Sequence, residues 1–495
     1  MIELPYNLFR AAQVREMDRI AIEDMGIPGR LLMERAGTAV FQALSERWPV
    51  ASRLIAVCGL GNNGGDGYVT ARLAREAGMA VTVLQVGDLF RVRGDAMQAL
   101  EDLCAAGVEP QPFDAEAVMD GEVIVDALFG TGLDREVTGP WRMAIEAMNH
   151  AGLPVVAVDI PSGLHADTGR ILGAATRGAL TVTFVGAKQG LFTGDGPDCC
   201  GMIAFDGLQI PGDALAAVRP SAFRLTYPGL SRLLQPRHRA AHKGEFGHVV
   251  IIGGDFGMSG AVRLAGEAAL RVGAGLVTVA TRGVHAATVS AGRPELMCHG
   301  VEDTAALHRL LSKASVVAIG PGLGQASWGR TMLKGVLETR LPLVVDADAL
   351  NLLAREPVHR GNWILTPHPG EAGRLLGCSS GQIQADRFAA VAALTGRFGG
   401  VCVLKGAGTL IFDNNGAVDI CCAGNPGMAS GGMGDVLTGV AAGLMAQGMG
   451  LEDAARLGVC LHAQAGDDAA REGERGMIAG DLIGQLRALV NPPLP

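Results

Sequence analysis

RLIAVCGLGNNGGDG, residues 53–67, decides the fold of the first half of the chain. A short apolar run of strand length meets a glycine-rich turn, and YVTARLARE (68–76) then takes up helical spacing. Strand, tight turn and helix in that order open a parallel-sheet unit. Outward from it, further apolar runs stand at VTVLQV (81–86), VIVDALF (123–129), PVVAVDI (154–160) and LTVTFV (180–185), with helical periods over 11–24 and 31–47. This alternation predicts a parallel sheet with helices on both faces. Near 211–240 the pattern gives way to a proline-punctuated, locally basic stretch that predicts a linker. A second series follows at 247–254, 276–281, 315–320, 343–348, 363–366 and 401–406. Two α/β domains are therefore expected, over 1–220 and 225–495; their turn motifs differ, so they are not copies.

Composition agrees with this division. A chain of 495 residues exceeds one ordinary core of about 100–200 residues. Hydrophobic residues make up 48% and charged residues 18%, which excludes wholesale disorder. The net charge of −9 argues against a nucleic-acid or anionic-membrane partner. Seventy-two glycines, about twice the usual share of ~7%, belong in turns where backbone approaches a ligand. Ten cysteines without a CxxC pair predict reduced thiols. The N-terminus has no secretory pattern and no apolar run reaches about 18 residues, so a cytoplasmic location is expected.

Gly59, Gly61 and Gly64 satisfy the dinucleotide fingerprint G-x-G-x-x-G, a weak signal alone. Its acidic companion is out of place, since Asp88 comes 29 positions after Gly59. Asn62, Asn63 and Asp66 bring side-chain oxygens into a turn that a phosphate cradle fills with backbone N–H groups, so they are candidate ligands; the alternative is a capped helix with Asp66 near its first turn. Asp126 and Asp159 each end an apolar strand, where parallel sheets place their crevice. Asn63, Asp126 and Ser162 offer hard oxygens suited to a hard cation. Lys188 lies just after the fifth strand, on the same edge.

The second half contains no GxxxxGK[ST] motif and so no P-loop. GNPGMASGGMGDVLTG (424–439) places small residues against a helix start, where free N–H groups face an anion. Asp435 inside that turn would repel a phosphate, yet stands well to take a proton from a hydroxyl; capping its own helix is the alternative. Asp346, Asn351, His368, Glu371 and Lys405 follow apolar strands and are expected to line one crevice.

GNNGGDG, VDALFGTG, DIPSG and IPGRLLMERAG together resemble NAD(P)H-hydrate epimerase domains. GNPGMASGGMGD, GPGLG (320–324), TPHPGE and KGAGT resemble ADP- or ATP-dependent NAD(P)H-hydrate dehydratases, relatives of the ribokinase-like kinases. The chain is thus similar to the bifunctional NAD(P)H-hydrate repair family. The resemblance implies a Rossmann-like three-layer α/β/α domain followed by a ribokinase-like α/β domain. It implies that Asn62, Asn63, Gly64, Gly65, Asp66, Gly130, Thr131, Gly132, Leu133, Asp134, Arg135 and Glu136 contact the hydrated nucleotide. Asn63, Asp126 and Ser162 would hold K⁺, and Asp159 would act on the reacting ring. In the second domain Ala261, Gly322, His368 and Asp435 would contact the hydrate, and Lys405, Gly406, Ala407, Gly408, Thr409 and Gly434 the ADP or ATP. Asp435 would be the base, with Mg²⁺ accompanying the nucleotide.

The implied reaction is epimerisation of the R and S hydrates of NADH and NADPH, then nucleotide-dependent dehydration of the S form. A homo-oligomer without nucleic-acid or membrane partners is expected. A ribokinase-like small-molecule kinase fused to a nucleotide-binding domain would explain Asp435 equally well. An NAD-dependent dehydrogenase would explain the first glycine loop but neither the Asn pair nor the second domain. A non-catalytic nucleotide-binding regulator is the remaining class.

Overall fold

The computed structural model describes residues 4–114 and 119–491. It divides into two compact units, Met1–Phe223 and Arg224–Pro495.

The first unit is built on a seven-stranded, all-parallel sheet. Its strands are β1 (Arg53–Cys58), β2 (Ala80–Gln85), β3 (Gln111–Pro112), β4 (Val123–Ala127), β5 (Val155–Val158), β6 (Leu180–Phe184) and β7 (Met202–Asp206), in spatial order β3-β2-β1-β4-β5-β6-β7. Alternate residues of each strand point to opposite faces. Leu54, Ala56 and Cys58 join Met33, Ala71 and Leu100 in one apolar cluster, while Ile55 and Val57 join Ala144, Ile145 and Met148 in another. Helices α1 (Ala11–Arg19), α2 (Gly29–Arg47), α3 (Asn62–Glu76) and α4 (Asp95–Ala105) serve the first face and α5 (Gly139–His150) the second. This is the three-layer arrangement expected. A separate strand, Asn7–Phe9, pairs in parallel with Ala187–Lys188 and antiparallel with Ala222–Phe223.

The second unit carries β8 (His248–Ile252), β9 (Leu276–Thr281), β10 (Met297–Gly300), β11 (Val316–Ile319), β12 (Leu343–Val345), β13 (Trp363–Leu365), β14 (Val401–Leu404), β15 (Thr409–Phe412) and β16 (Val418–Cys421). Their order is β10-β9-β8-β11-β12-β13-β14-β15-β16, parallel up to β14 and antiparallel beyond. Val249, Ile251, Val277 and Val316 pack on one face against α6 (Ser259–Arg271), α7 (Met433–Ala446) and α8 (Leu451–Ala469).

The stretch expected to be a linker is structured. It forms a helix at Gly212–Ala216, a strand at Ala222–Leu225 and a helix at Tyr227–Ser231. Segments of four or five residues are too short to show a period in sequence, yet Ala214 and Ala222 are fully buried.

Candidate active site

The first centre lies where the order of the parallel sheet reverses, between β1 and β4. Loops leaving these strands diverge and open a crevice at their carboxyl ends. The crevice is a cleft of about 990 Å³ lined by Asn62, Asn63, Asp66, the loop from Gly130 to Glu136, Asp159 and Lys188. The fingerprint glycines have a packing reason: a Cβ on Gly59 would stand 2.1 Å from the Leu128 carbonyl oxygen, and one on Gly64 2.2 Å from the Gly59 carbonyl oxygen. Asp88 is spent on its own turn, accepting from the Phe90 N–H at 3.0 Å. Asp66 does not cap α3; the cap is Gly61, no side chain caps the helix, and Asp66 stands a turn inside it, facing the cleft.

Asp159 sits in the left-handed region, φ 68°, directly after β5. Aspartate tolerates that conformation better than most residues, and strain of this kind gathers at functional sites. Its Oδ1 accepts from the Phe184 N–H at 3.1 Å and from the Lys188 ammonium. Lys188 is fully buried and also donates to the Phe184 carbonyl at 3.0 Å and to Thr183 Oγ1 at 3.2 Å. Two further acids bear on this pair. Burial pushes Asp66 well above the usual carboxylate range, helped by the charges of Asp159 and Asp18. Asp18, on α1, lines the same cleft; burial pushes it up to about 6, with Lys188 opposing and Asp159 adding to the shift. The sequence reading missed Asp18, because an acid on an amphipathic helix carries no motif.

Asp126 lies beneath the cleft and is completely buried. Its Oδ1 accepts from Ser162 Oγ at 2.6 Å and its Oδ2 from the Ser162 N–H at 2.8 Å; burial raises it above its ordinary value. Among the described residues no Lys or Arg pairs with it. Asn63 stands beside Gly130 of the loop that follows β4, and its Nδ2 is buried without a partner. A buried carboxylate without a cationic partner, bonded to the Ser162 hydroxyl, has the donor chemistry of a hard-cation site.

The second centre stands at the ends of β12, β13 and β14. Asp346 is buried and shared among Lys405 Nζ at 2.8 Å, Thr366 Oγ1 at 2.8 Å and Thr438 Oγ1 at 2.9 Å. The following residue, Ala347, has φ 49°, so a second strained position marks this edge. Lys405 also lies 3.9 Å from Glu371. Burial works against its charge, but Asp346 and Glu371 more than offset this and hold it above its ordinary value. Helix α7 starts over the cluster from Gly432, φ 91°, with no side-chain cap. A Cβ on Gly434 would lie 3.3 Å from Lys405 Nζ. Asp435, in this first turn, is pushed up to about 7 by burial and by the charge of Asp346, against Lys405.

The loop Lys405 to Thr409 is held from behind by Arg387. This buried guanidinium donates to the carbonyls of Leu404 at 3.2 Å, Gly408 at 3.3 Å and Lys405 at 3.4 Å. Gly322, φ 55°, brings GPGLG against Met258 and Ala261, a Cβ there standing 3.3 Å from the Ala261 Cβ. His368 caps the helix Pro369–Leu376, its Nδ1 accepting from the Gly370 N–H at 3.0 Å, while its half-exposed ring reaches to 3.4 Å from Glu371. Burial, then Lys405 and Arg374, lower its pKa, which favours the neutral imidazole. Asn351 meets the cluster through Arg374, whose charge also bears on His368 and Glu371. Its Oδ1 accepts from Arg374 Nε at 2.5 Å and its Nδ2 approaches Asp348, because one turn of helix carries it past the strand edge.

Family models match both parts: residues 29–190 match the YjeF-related protein N-terminus, and 249–487 match NAD(P)H-hydrate dehydratase. The bifunctional NAD(P)H-hydrate repair enzyme of Coxiella burnetii is 52% identical over 98% of this chain and 99% of its own. The chain belongs to this family of bifunctional repair enzymes. The Escherichia coli member is 45% identical over 99% of this chain and 95% of its own. A ribokinase-like superfamily protein from Enterococcus faecalis, 31% identical, superposes with a TM-score of 0.51 over 55% of this chain and 95% of its own. The family assignment excludes the dehydrogenase reading and accounts for the two centres as parts of one bifunctional enzyme. Among the described residues no helix is long and apolar enough to cross a membrane.

Proposed function

We propose that the first unit interconverts the R and S hydrates of NADH and NADPH, and that the second uses ADP or ATP to dehydrate the S form to NAD(P)H. The observation that carries this reading is the presence, in one chain, of two distinct carboxylate–lysine centres: Asp159 with Lys188, and Asp435 above Lys405 and Asp346. One is open to a ring that must invert, the other to a hydroxyl that must be phosphorylated.

In the first unit the turn Asn62, Asn63, Gly64, Gly65 and Asp66, with the loop from Gly130 to Glu136, contacts the hydrated nucleotide, and Asp159 faces the reacting ring. Asn63, Asp126 and Ser162 would hold K⁺, which would supply the positive charge that the buried Asp126 lacks. In the second unit Ala261, Gly322, His368 and Asp435 meet the hydrate. Lys405 to Thr409 and Gly434 meet the adenine nucleotide. Asp435 takes the proton of the ring hydroxyl as that oxygen attacks the terminal phosphorus. The resulting phosphate ester leaves with the C–O bonding pair, and loss of a ring proton restores the double bond. Mg²⁺ would neutralise the nucleotide's phosphates. Asp346 and Glu371 are already committed to neighbours, so the nucleotide's own phosphates would be the main hold on it.

Ten free cysteines support a reducing, cytoplasmic setting. Exposed Ile22, Met25 and Leu31 on the first unit support self-association into a homo-oligomer. The test is to incubate the protein with hydrated NADH, with each nucleotide and with none. NADH absorbance returns only with nucleotide, and epimer exchange proceeds without it. A stoichiometric, stable phosphorylated product would favour the small-molecule kinase instead.

A further inference from the structure

The first cleft holds more acid than one proton acceptor needs. Asp18, Asp66 and Asp159 all line it, and its one buried cation, Lys188, is committed to Asp159. Asp95, Asp134 and Glu136 also line it, as do Arg15, Arg91 and Arg135, but all six are exposed at its rim, where water screens them. With three recessed carboxyls and one buried ammonium among the described residues, at least one carboxyl keeps its proton.

Inverting the hydroxyl-bearing carbon requires a proton given to one oxygen and a proton taken from another. Asp159, ion-paired with Lys188, is given the accepting role here. Asp66 stands inside α3, where burial raises it well above the usual carboxylate range. Asp18 differs from both. It is only half-buried, on α1 at the wall of the cleft, and accepts no hydrogen bond from a described residue, so its oxygens are free for substrate and its proton can exchange with solvent.

We propose that Asp18 is the second catalytic carboxyl of the epimerising centre, working with Asp159 as an acid–base pair on the ring hydroxyl. This rests on the epimerase reading given above. Asp18 gives its proton to the hydroxyl on the carbon next to the ring nitrogen. The C–O bond breaks, its electron pair leaves with water, and the nitrogen lone pair closes a C=N bond. Water then adds to the other face, its proton passes to Asp159, and the pair returns to nitrogen. Proton return from Asp159 to Asp18 through solvent resets the site. The net change is inversion alone, with no oxidant or reductant. The position of Asp18 near 6 suits this exchange at the pH of the cell.

The test uses the full chain and a mixture of NADHX epimers without nucleotide, following epimer exchange by chromatography after subtracting the spontaneous rate. Wild type should lose rate as pH rises above about 6, because protonated Asp18 becomes scarce. Asp18→Asn should lower kcat by at least about 100-fold with KM changed less than about threefold, and should abolish that limb. Asp18→Glu should restore part of the rate and the limb. Both variants should dehydrate the S epimer with ATP at the wild-type rate, which shows them folded. An Asp18→Asn enzyme within about threefold of wild type, or one slowed with the limb intact, would overturn the assignment. A wild type that does not exchange the epimers would instead overturn the epimerase reading itself.

Discussion

Asp159 directly follows a strand and Asp435 stands in the first turn of a helix, and their neighbours divide their roles. Asp159 has an ammonium against it. Asp435 has Asp346 and little water, and rises to about 7. As a base it works only when ionised, so dehydration should climb with pH to about 7 and then level off. Asp435→Asn should cut dehydration by about 100-fold or more, remove that pH dependence and leave epimerisation unchanged. The same substitution has a stability consequence. The folded pKa lies above the unfolded value of 3.8, so the stability this group contributes at low pH is lost as pH rises through about 7. At pH ~8 the variant should therefore be more stable by about 1–2 kcal/mol, a figure discounted for partial exposure, and at pH ~3 it should show no gain; thermal melts at both values check this. Both aspartates were legible in sequence, Asp159 because it ends an apolar strand and Asp435 because it stands inside a glycine-rich motif. Asp18 and Arg387 were not, because each lies on a helix whose periodicity is ordinary and acts only through what the fold brings beside it.

At the scale of elements, the strands that flank the sites stood out as β-branched runs, and their observed ends fall close to the expected ones, as at Arg53–Cys58 and Leu276–Thr281. Pieces such as Gln111–Pro112, Asn7–Phe9 and Met202–Asp206 did not, being short and partly polar. The turn from Lys405 to Thr409 joins β14 to β15 as a hairpin, and the sequence signalled its chemistry but not the clamp behind it. Arg387→Met should remove the bonds to three carbonyls and loosen that turn, raising the KM for ATP by about tenfold while changing kcat less. Arg387→Lys should rescue little, since an ammonium cannot span the same fork. An unchanged KM in both variants would show that the turn holds its shape without the clamp.

For the whole molecule, the account requires two units that work independently. Fragments divided inside the 211–240 stretch should each be soluble and keep one activity. The cut site matters: Ala222 and Phe223 pair with Leu8 and Asn7, so a first fragment ending after Leu225 should melt higher than one ending at Pro220. Insolubility of both pieces at every cut would indicate a shared interface.

The central claim is that one chain performs two separable steps. Its most direct measurement is the progress curve of NADH recovery from an equal mixture of R and S hydrates with excess ATP, for wild type and for Asp159→Asn. Wild type should run to completion in one phase. The variant should recover the S half at the wild-type rate and then stall, advancing only as fast as the R form inverts spontaneously. A single uninterrupted curve from the variant, or a wild type that stops halfway, would contradict the account.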